Sequence, residues 1–426
     1  MVSISRLATL AVGALFLSSQ AIAEQVTPDD RVKSRVVIRQ SATTASPKIS
    51  ELKIGQSVEL ISEQSDWYEI RLQDGTTGFV SKAWTNTTEI GVPEAATVPS
   101  PSFKVHVIDI GTGLSVFIEG SDFSMLYDGG SQDDLAKGPD NRIIAYLKAI
   151  KPNLQTIDHL VLSHPHKDHV ELLPDVFDKF IIKNVWDSGT VNLTVGYCNF
   201  LKKVAAENGV KYHDAISSGG THTVACKGGN VNIHEAEQMT ANQISLGKNA
   251  SMNVLYRDAS QHPDPNENSV VIRLNLGTKR ILLAGDAEGG QRRLPSSPPD
   301  TGSIEESLLN CCASDLRADA LIVGHHGSMS SSRSSFINAV DAKVYAISSG
   351  PHTYGKNHVV LPDAEIVAEL EAHGKVLRTD IDDEKCMSST SKIGPDEDES
   401  PGGCNNILIM ISGDGTLTAG FSPAHD

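Results

Sequence analysis

The chain has no Cys-x-x-Cys pair, no excess of positive charge and, after its first 23 residues, no apolar run long enough to cross a bilayer. Each absence closes off a class. Without Cys-x-x-Cys pairs the six cysteines, at 198, 226, 311, 312, 386 and 404, do not read as metal ligands. A formal net charge of −17 removes the footprint that extended nucleic-acid binding needs, while leaving room for a cationic metal site that handles phosphate locally. A spanning helix takes about 20 apolar residues, so no later segment predicts one. No internal repeat stands out.

What is present begins with an export signal. Arg6 precedes a mostly apolar run from Leu7 to Leu17, and small residues lead to Ala21-Ile22-Ala23 before Glu24. This is the pattern of a signal peptide over 1–23, with cleavage after Ala23. It predicts a periplasmic or secreted protein. In that oxidising setting the even cysteine count predicts disulfides. Cys386 and Cys404, which flank the acidic run Asp396-Glu397-Asp398-Glu399, are the first candidate pair, and adjacent Cys311 and Cys312 are expected to find different partners.

Two changes of composition divide the rest. Residues 28–90 read as short strands with turns: Val36-Val37-Ile38, Ser57 to Ile61, Trp67-Tyr68-Glu69-Ile70 and Gly78-Phe79-Val80, with Asp74-Gly75 as a hairpin signal. Residues 91–103, rich in proline and alanine, read as a semi-stiff linker. From 104 to 426 strands alternate with helices. Predicted strands include Val105 to Ile110, Ser115 to Ile118, Ser124 to Asp128, His159 to Ser163, Val270 to Leu274, Arg280 to Ala284, Ala320 to Val323 and Lys343 to Ile347. The spacing of Ile143, Ile144, Leu147 and Ile150 predicts a helix, and Asp363 to His373 a second.

The chemistry is concentrated in His164-Pro165-His166-Lys167-Asp168-His169, directly after an apolar strand. Three imidazoles and a carboxylate within six residues have no packing explanation. His164 and His166, at alternate positions, can reach one cation, and the next turn aims Asp168 and His169 at another. Such donors suit Zn²⁺ and also Mn or Fe. Asp286 follows a strand in Ala284-Gly285-Asp286, and His325-His326-Gly327-Ser328 follows another. Asp128, in Asp128-Gly129-Gly130, reads as a carboxylate that orients a ligand.

Together these residues resemble the metallo-β-lactamase superfamily, in its ComEC-like branch, named for the hydrolase domain of DNA-uptake proteins. The resemblance spans roughly 104 to 425. It also rests on Val107 to Gly111, Asn268-Ser269-Val270-Val271, Ser348-Ser349-Gly350 and Tyr354-Gly355 with His358. Residues 28–90 resemble a bacterial SH3 domain, through Val37-Ile38-Arg39, Leu52 to Gly55, Trp67-Tyr68 and Asp74 to Val80, with the aromatics expected to fill its core.

The resemblance implies an α/β fold, an αββα metallo-β-lactamase sandwich behind a small SH3-like β-barrel. It implies two divalent metal ions, zinc first and manganese or iron as alternatives. His164 and His166 would hold one, Asp168 and His169 the other together with one of His325 and His326, His325 first, and Asp286 would bridge them. Asp168 and His326 would serve proton transfer or face the substrate. Water shared by two cations about 3.5–4 Å apart would attack a phosphoester, small or wall-derived. The alternatives are a β-lactam or lactone hydrolase, or a non-enzymatic envelope-binding protein. The SH3-like unit would take a cell-wall peptide or a protein. Three departures stand out. The branch's Gly-Gln-Gly-Asp turn is Gly111-Thr112-Gly113-Leu114 here, and the Tyr-Gly-His-Pro motif is stretched to Tyr354, Gly355, His358 and Pro362. The family's further first-site histidine has no clear match, with His213, His222, His234 and Asp187 as candidates.

Overall fold

The computed structural model describes residues 23–72, 75–90, 102–133, 138–189, 194–216, 219–240, 243–354, 358–381, 387–389, 392–393 and 405–422. The chain forms two compact units, one up to Val98 and one from Pro99. Residues 1–22 of the proposed leader, most of the linker, Asp74 and both Cys386 and Cys404 lie outside the described residues.

The first unit is a seven-stranded antiparallel sheet. Its strands run in the order Lys48–Lys53, Arg35–Arg39, Thr77–Ser81, Trp67–Arg71, Val58–Gln64, Ala23–Pro28, Thr85–Ile90. The strand Ala23–Pro28 lies ahead of the expected start at 28, and pairs with Thr85–Ile90 and Val58–Gln64. The expectation that aromatics fill this core needs correction. The core is Val26, Val36, Ile38, Leu52, Val58, Ile70 and Val80. Trp84 is half exposed, at 51%, and Trp67, Tyr68 and Phe79 are only partly covered. Alternation explains it: Val36 and Ile38 point inward from a five-residue strand while their neighbours face out.

The second unit is a four-layer αββα sandwich. Its first sheet has ten strands in the order Gly220–Cys226, Gly229–Gln238, Lys211–Asp214, Ile181–Asp187, Thr156–Leu162, Ser124–Tyr127, Val116–Glu119, Phe103–Val107, Ile407–Ile411, Leu417–Phe421. The second has seven: Ile244–Gly247, Ala250–Tyr256, Val271–Leu276, Lys279–Leu283, Ala320–Ile322, Val344–Ile347, Lys375–Arg378. Val107, Met125, Tyr127 and Val161 of the first sheet pack against Ile272, Leu274, Ile281, Leu283 and Ile322 of the second. On the far side of the first sheet Leu126, Leu160 and Leu162 meet the helices Arg142–Ile150, Leu173–Lys179 and Val195–Ala206. Leu282, Leu321 and Tyr345 meet Ile304–Cys312, Ser334–Val340 and Ala364–Glu371 on the outer side of the second. Strands covered on both faces read as continuous apolar runs, as Leu160-Val161-Leu162 does.

The helix predicted from residue 142 is observed as Arg142–Ile150, where the Asn141 side chain accepts from the N–H groups of Ile143 and Ile144. Two disulfides are present among the described cysteines. One joins Cys198, on the helix Val195–Ala206, to Cys226. The other joins Cys311 to Cys312, overturning the expectation that these neighbours pair elsewhere. The helix Ile304–Cys312 ends there, and Cys312 leaves helical backbone at φ −154°, ψ 37°, so the two sulfurs meet.

Candidate metal centre

The C-terminal ends of parallel strands deliver the motif. Thr156–Leu162 runs between Ser124–Tyr127 and Ile181–Asp187, and its chain emerges as Ser163 and His164. Asp128, just past the neighbouring strand, turns with a positive φ of 58°. Its carboxylate accepts from the Ser163 N–H at 2.6 Å, the Ser163 hydroxyl at 2.7 Å and His169 Nδ1 at 2.9 Å. Asp128 therefore fixes the His169 ring from behind and aims Nε2 at the centre.

The turn Gly111 to Leu114 has lost its acid but still holds the motif. The Leu114 N–H donates to the Asp168 carbonyl at 3.0 Å, and the Gly129 N–H to that of His169 at 2.8 Å. Gly130 packs so closely that a Cβ there would stand 2.3 Å from the His169 nitrogen. Gly285 takes a φ of +55°, a conformation suited to glycine, in the turn that presents Asp286.

Two groups of ligand atoms converge: His164, His169 and Asp286, and Asp168, His169 and His326, all buried. His169 Nε2 lies 3.2 Å from Asp286 Oδ1, and His164 Nε2 3.7 Å from Oδ2 of the same carboxylate. His326 Nε2 is 3.6 Å from Asp168 Oδ2 and 3.6 Å from Asp286 Oδ2. Asp286 thus reaches both groups. His166 stands at the edge, one-third exposed, with its Nδ1 3.0 Å from His164 Nε2.

The paired histidines exchange the roles expected of them. Consecutive positive φ angles, 49° and 53°, turn their side chains apart. His326 enters the Asp168–His169 group, its Nδ1 bonded to the Ser348 carbonyl at 2.9 Å. His325, assigned to the second metal from the sequence, is held at the rim instead. Its Nδ1 meets Glu288 at 2.8 Å and the Ser330 hydroxyl at 2.8 Å, and its Nε2 is 3.9 Å from Asp286.

None of the four candidates for a further first-site ligand joins the centre. Asp187 accepts hydroxyls from Tyr197 at 2.7 Å and Tyr212 at 2.8 Å. His213 stacks on Trp186 with centroids 3.8 Å apart, His222 stacks on Tyr212, and His234 meets Thr221. Several residues at the site carried no role in the sequence reading. Tyr354 donates its hydroxyl to Asp168 Oδ2 at 2.9 Å, and the Ser269 hydroxyl accepts the Asp286 N–H at 3.0 Å. Glu288, two residues after Asp286, and Asp264, whose Oδ1 is 3.8 Å from His166 Nε2, are others. Tyr354 and Ser269 stood in the motifs that carried the resemblance, and that was their one signal.

The donors fit divalent cations. His169 Nε2, Asp286 Oδ1 and His326 Nε2 are buried polar atoms without a hydrogen-bond partner, and a bound cation satisfies such atoms. Burial alone would push the Asp286 carboxyl up, but the imidazoles around it, His169 foremost, hold it well below the usual carboxylate range. Burial drives His164 the other way, well below the usual imidazole value, favouring the neutral ligand form.

Comparisons with known proteins agree with this geometry. Residues 34–86 match the bacterial SH3 domain family, and residues 108–193 match the metallo-beta-lactamase superfamily. The chain thus resembles the bacterial SH3 domain family in its first unit and the metallo-β-lactamase superfamily in its second, where the match covers the motif His164 to His169. Its curated relatives are of the ComEC kind. It is 27% identical to competence protein ComA of Neisseria gonorrhoeae over 290 residues, 68% of this chain and 32% of that protein. It is 25% identical to ComE operon protein 3 of Bacillus subtilis over 292 residues, 65% of this chain and 32% of that protein. The chain thus spans about a third of the length of these relatives. Among solved structures, the metallo-beta-lactamase fold protein YhfI of Bacillus subtilis aligns over 65% of this chain and 96% of its own, at 12% identity and a TM-score of 0.36.

Proposed function

We propose that this chain is an exported phosphoester hydrolase working with two divalent metal ions. The observation that carries the reading is the pair of convergent ligand groups sharing Asp286, with three buried donor atoms left unpartnered. His164 and His166 would hold one ion, Asp168, His169 and His326 the other, and Asp286 would touch both. Bound there, the ions supply Lewis acidity and a water acidified towards neutrality.

The protein's own residues do the rest. Asp128 and Ser163 hold His169 in one tautomer, and Ser348 does the same for His326 through its carbonyl. Tyr354 occupies one lone pair of Asp168, which leaves that carboxylate oriented as a ligand. His326 is engaged at the centre, so the proton-handling role passes to rim-held His325, which Glu288 and Ser330 orient. Zinc fits the imidazole-rich set, and manganese or iron fit the carboxylates. The relatives are competence and ComE operon proteins rather than β-lactamases, which supports phosphoesters over β-lactams. The −17 charge supports a small or wall-derived substrate over a long nucleic-acid track. In this reading the leader 1–23 directs export and the SH3 domain engages a wall peptide or protein.

Elemental analysis coupled to a substrate panel tests the proposal. Protein loaded with Zn²⁺ or Mn²⁺ is expected to bind two equivalents and cleave bis-p-nitrophenyl phosphate in preference to nitrocefin or a lactone, with single-stranded DNA as the polymeric arm. Chelation should abolish the activity and re-addition of metal restore it. Hydrolysis undiminished in metal-free protein, or cleavage confined to nitrocefin, overturns it.

A further inference from the structure

The two halves of the centre are unequally built. Asp168, His169, Asp286 and His326 are all at most 5% exposed. On the other side the ring of His166 is 34% exposed, and His213, His222, His234 and Asp187 all face elsewhere. His164 is held from behind by the Ser163 hydroxyl, 3.0 Å from its Nδ1. His166 receives no such support from its own strand or helix, because it is the residue preceding the short helix Lys167–Val170 and makes no capping bond with its side chain.

Support comes from a different part of the chain. The connection between Tyr256 and Val271 folds back over the centre and is tied to itself. His262 lies between Asp258 and Glu267 at 2.7 Å from each, and the Asn268 amide donates to the carbonyls of Asp258 and Ser260 at 2.8 and 2.9 Å. At its tip Asp264 accepts the Asn266 N–H at 3.0 Å through Oδ1, starting the 3-10 turn Pro265–Asn268. The same oxygen lies 3.8 Å from His166 Nε2. The other ring nitrogen, Nδ1, is the one that faces His164 Nε2 at 3.0 Å.

We propose that Asp264 is the positioning residue of the weaker metal site: its carboxylate pairs with the Nε2 side of the His166 ring, 3.8 Å away, and so presents Nδ1 to the ion that His164 shares. The inference rests on the two-metal reading above. A carboxylate behind a ligating imidazole fixes its tautomer and raises its basicity, and losing such a partner typically costs about 10–100-fold in metal affinity. The requirement is sharpest at His166, the most exposed imidazole of the proposed ligand set.

Two substitutions separate this role from turn formation. Asp264→Ser keeps a good cap for the Asn266 N–H but is too short to reach His166. Asp264→Asn keeps the cap and a neutral acceptor for the imidazole. Full-length protein freed of metal is titrated with Co²⁺ alone, following its visible absorption and a chelator competition, with thermal unfolding measured alongside. Wild type should bind two equivalents. Asp264→Ser should weaken one of them by about 10–100-fold, leaving the other and the metal-free melting temperature unchanged, and Asp264→Asn should restore most of the affinity. Two equivalents bound by Asp264→Ser as tightly as by wild type overturn the proposal, as does equal weakening of both sites. Wild type binding fewer than two equivalents overturns the two-metal reading itself.

Discussion

Asp286 and Asp187 both stand at strand ends of the same sandwich, both at most 2% exposed, and they have opposite surroundings. Asp286 is ringed by His164, His169 and His326, which hold its carboxyl well below the usual range against the effect of burial. Asp187 is ringed by Tyr197 and Tyr212, and burial pushes it up to about 6 despite those two donors. Burial and residue type are shared, and the neighbours differ. A carboxylate among bases stays charged and, together with orphaned imidazole nitrogens, forms a place for a cation. One among phenols is a structural acid that gives up its proton late.

The largest expected effect comes from removing each acid in turn. Asp286→Ala should take metal below half an equivalent and lower phosphoester hydrolysis by about a thousandfold or more, roughly 4 kcal/mol of barrier. Asp187→Ala should leave metal content at the wild-type level. Stripped metal in the Asp187 variant would collapse the contrast between the two acids.

A second experiment asks whether surroundings also divide His325 from His326. His326→Ala is expected to lower metal affinity and to reduce hydrolysis by about a hundredfold, near 3 kcal/mol. His325→Ala should retain two equivalents and show its loss in the rate. Metal lost from His325→Ala but kept by His326→Ala would restore the assignment that the sequence favours.

The smallest effect is on stability. The folded-state value of Asp187, about 6, lies above its ordinary 3.8, so between these values the folded protein binds more protons there than the unfolded chain does. Its stabilising contribution is complete below about 3.8 and is lost as pH rises through about 6. Chemical denaturation of wild type should therefore lose stability relative to Asp187→Asn between pH 4 and 7, by something on the order of 2–3 kcal/mol. Parallel profiles would mean that Asp187 is not the buried acid described here.

Much of this was legible in the sequence, and the residues show why. The motif His164 to His169 is contiguous, so its chemistry survives being read in one dimension. The strand ending in Leu162 and the helix Arg142–Ile150 announced themselves through apolar runs and spacing. The order of His325 and His326 was not legible, because it is decided by two left-handed residues and by partners such as Glu288 and Ser348 that only folding brings near. Asp264 was hidden for the same reason, being 98 residues from His166 in a loop of ordinary composition. The strands Gly220–Cys226 and Gly229–Gln238 are half exposed and polar, and their alternation rests on only two residues each, Val224 with Cys226 and Val231 with Ile233. The SH3 aromatics misled because they are large, and a seven-residue aliphatic core leaves them at its edge, with Tyr68 packed against it.

The strand Ile407–Ile411 lies in the first sheet directly beside Phe103–Val107, pairing Ile407 with Val107 and Ile411 with Phe103. That pairing sets a timetable. A ribosome has delivered every ligand named here once His326 is out, yet one of the sheet's inner strands is still some eighty residues from being made. His164 to His169 come from one sheet and Asp286 and His326 from the other, so the site exists only when the two halves close on each other. A chain cut short before residue 407 therefore keeps every ligand but leaves Phe103–Val107 without the strand that pairs with it on that side.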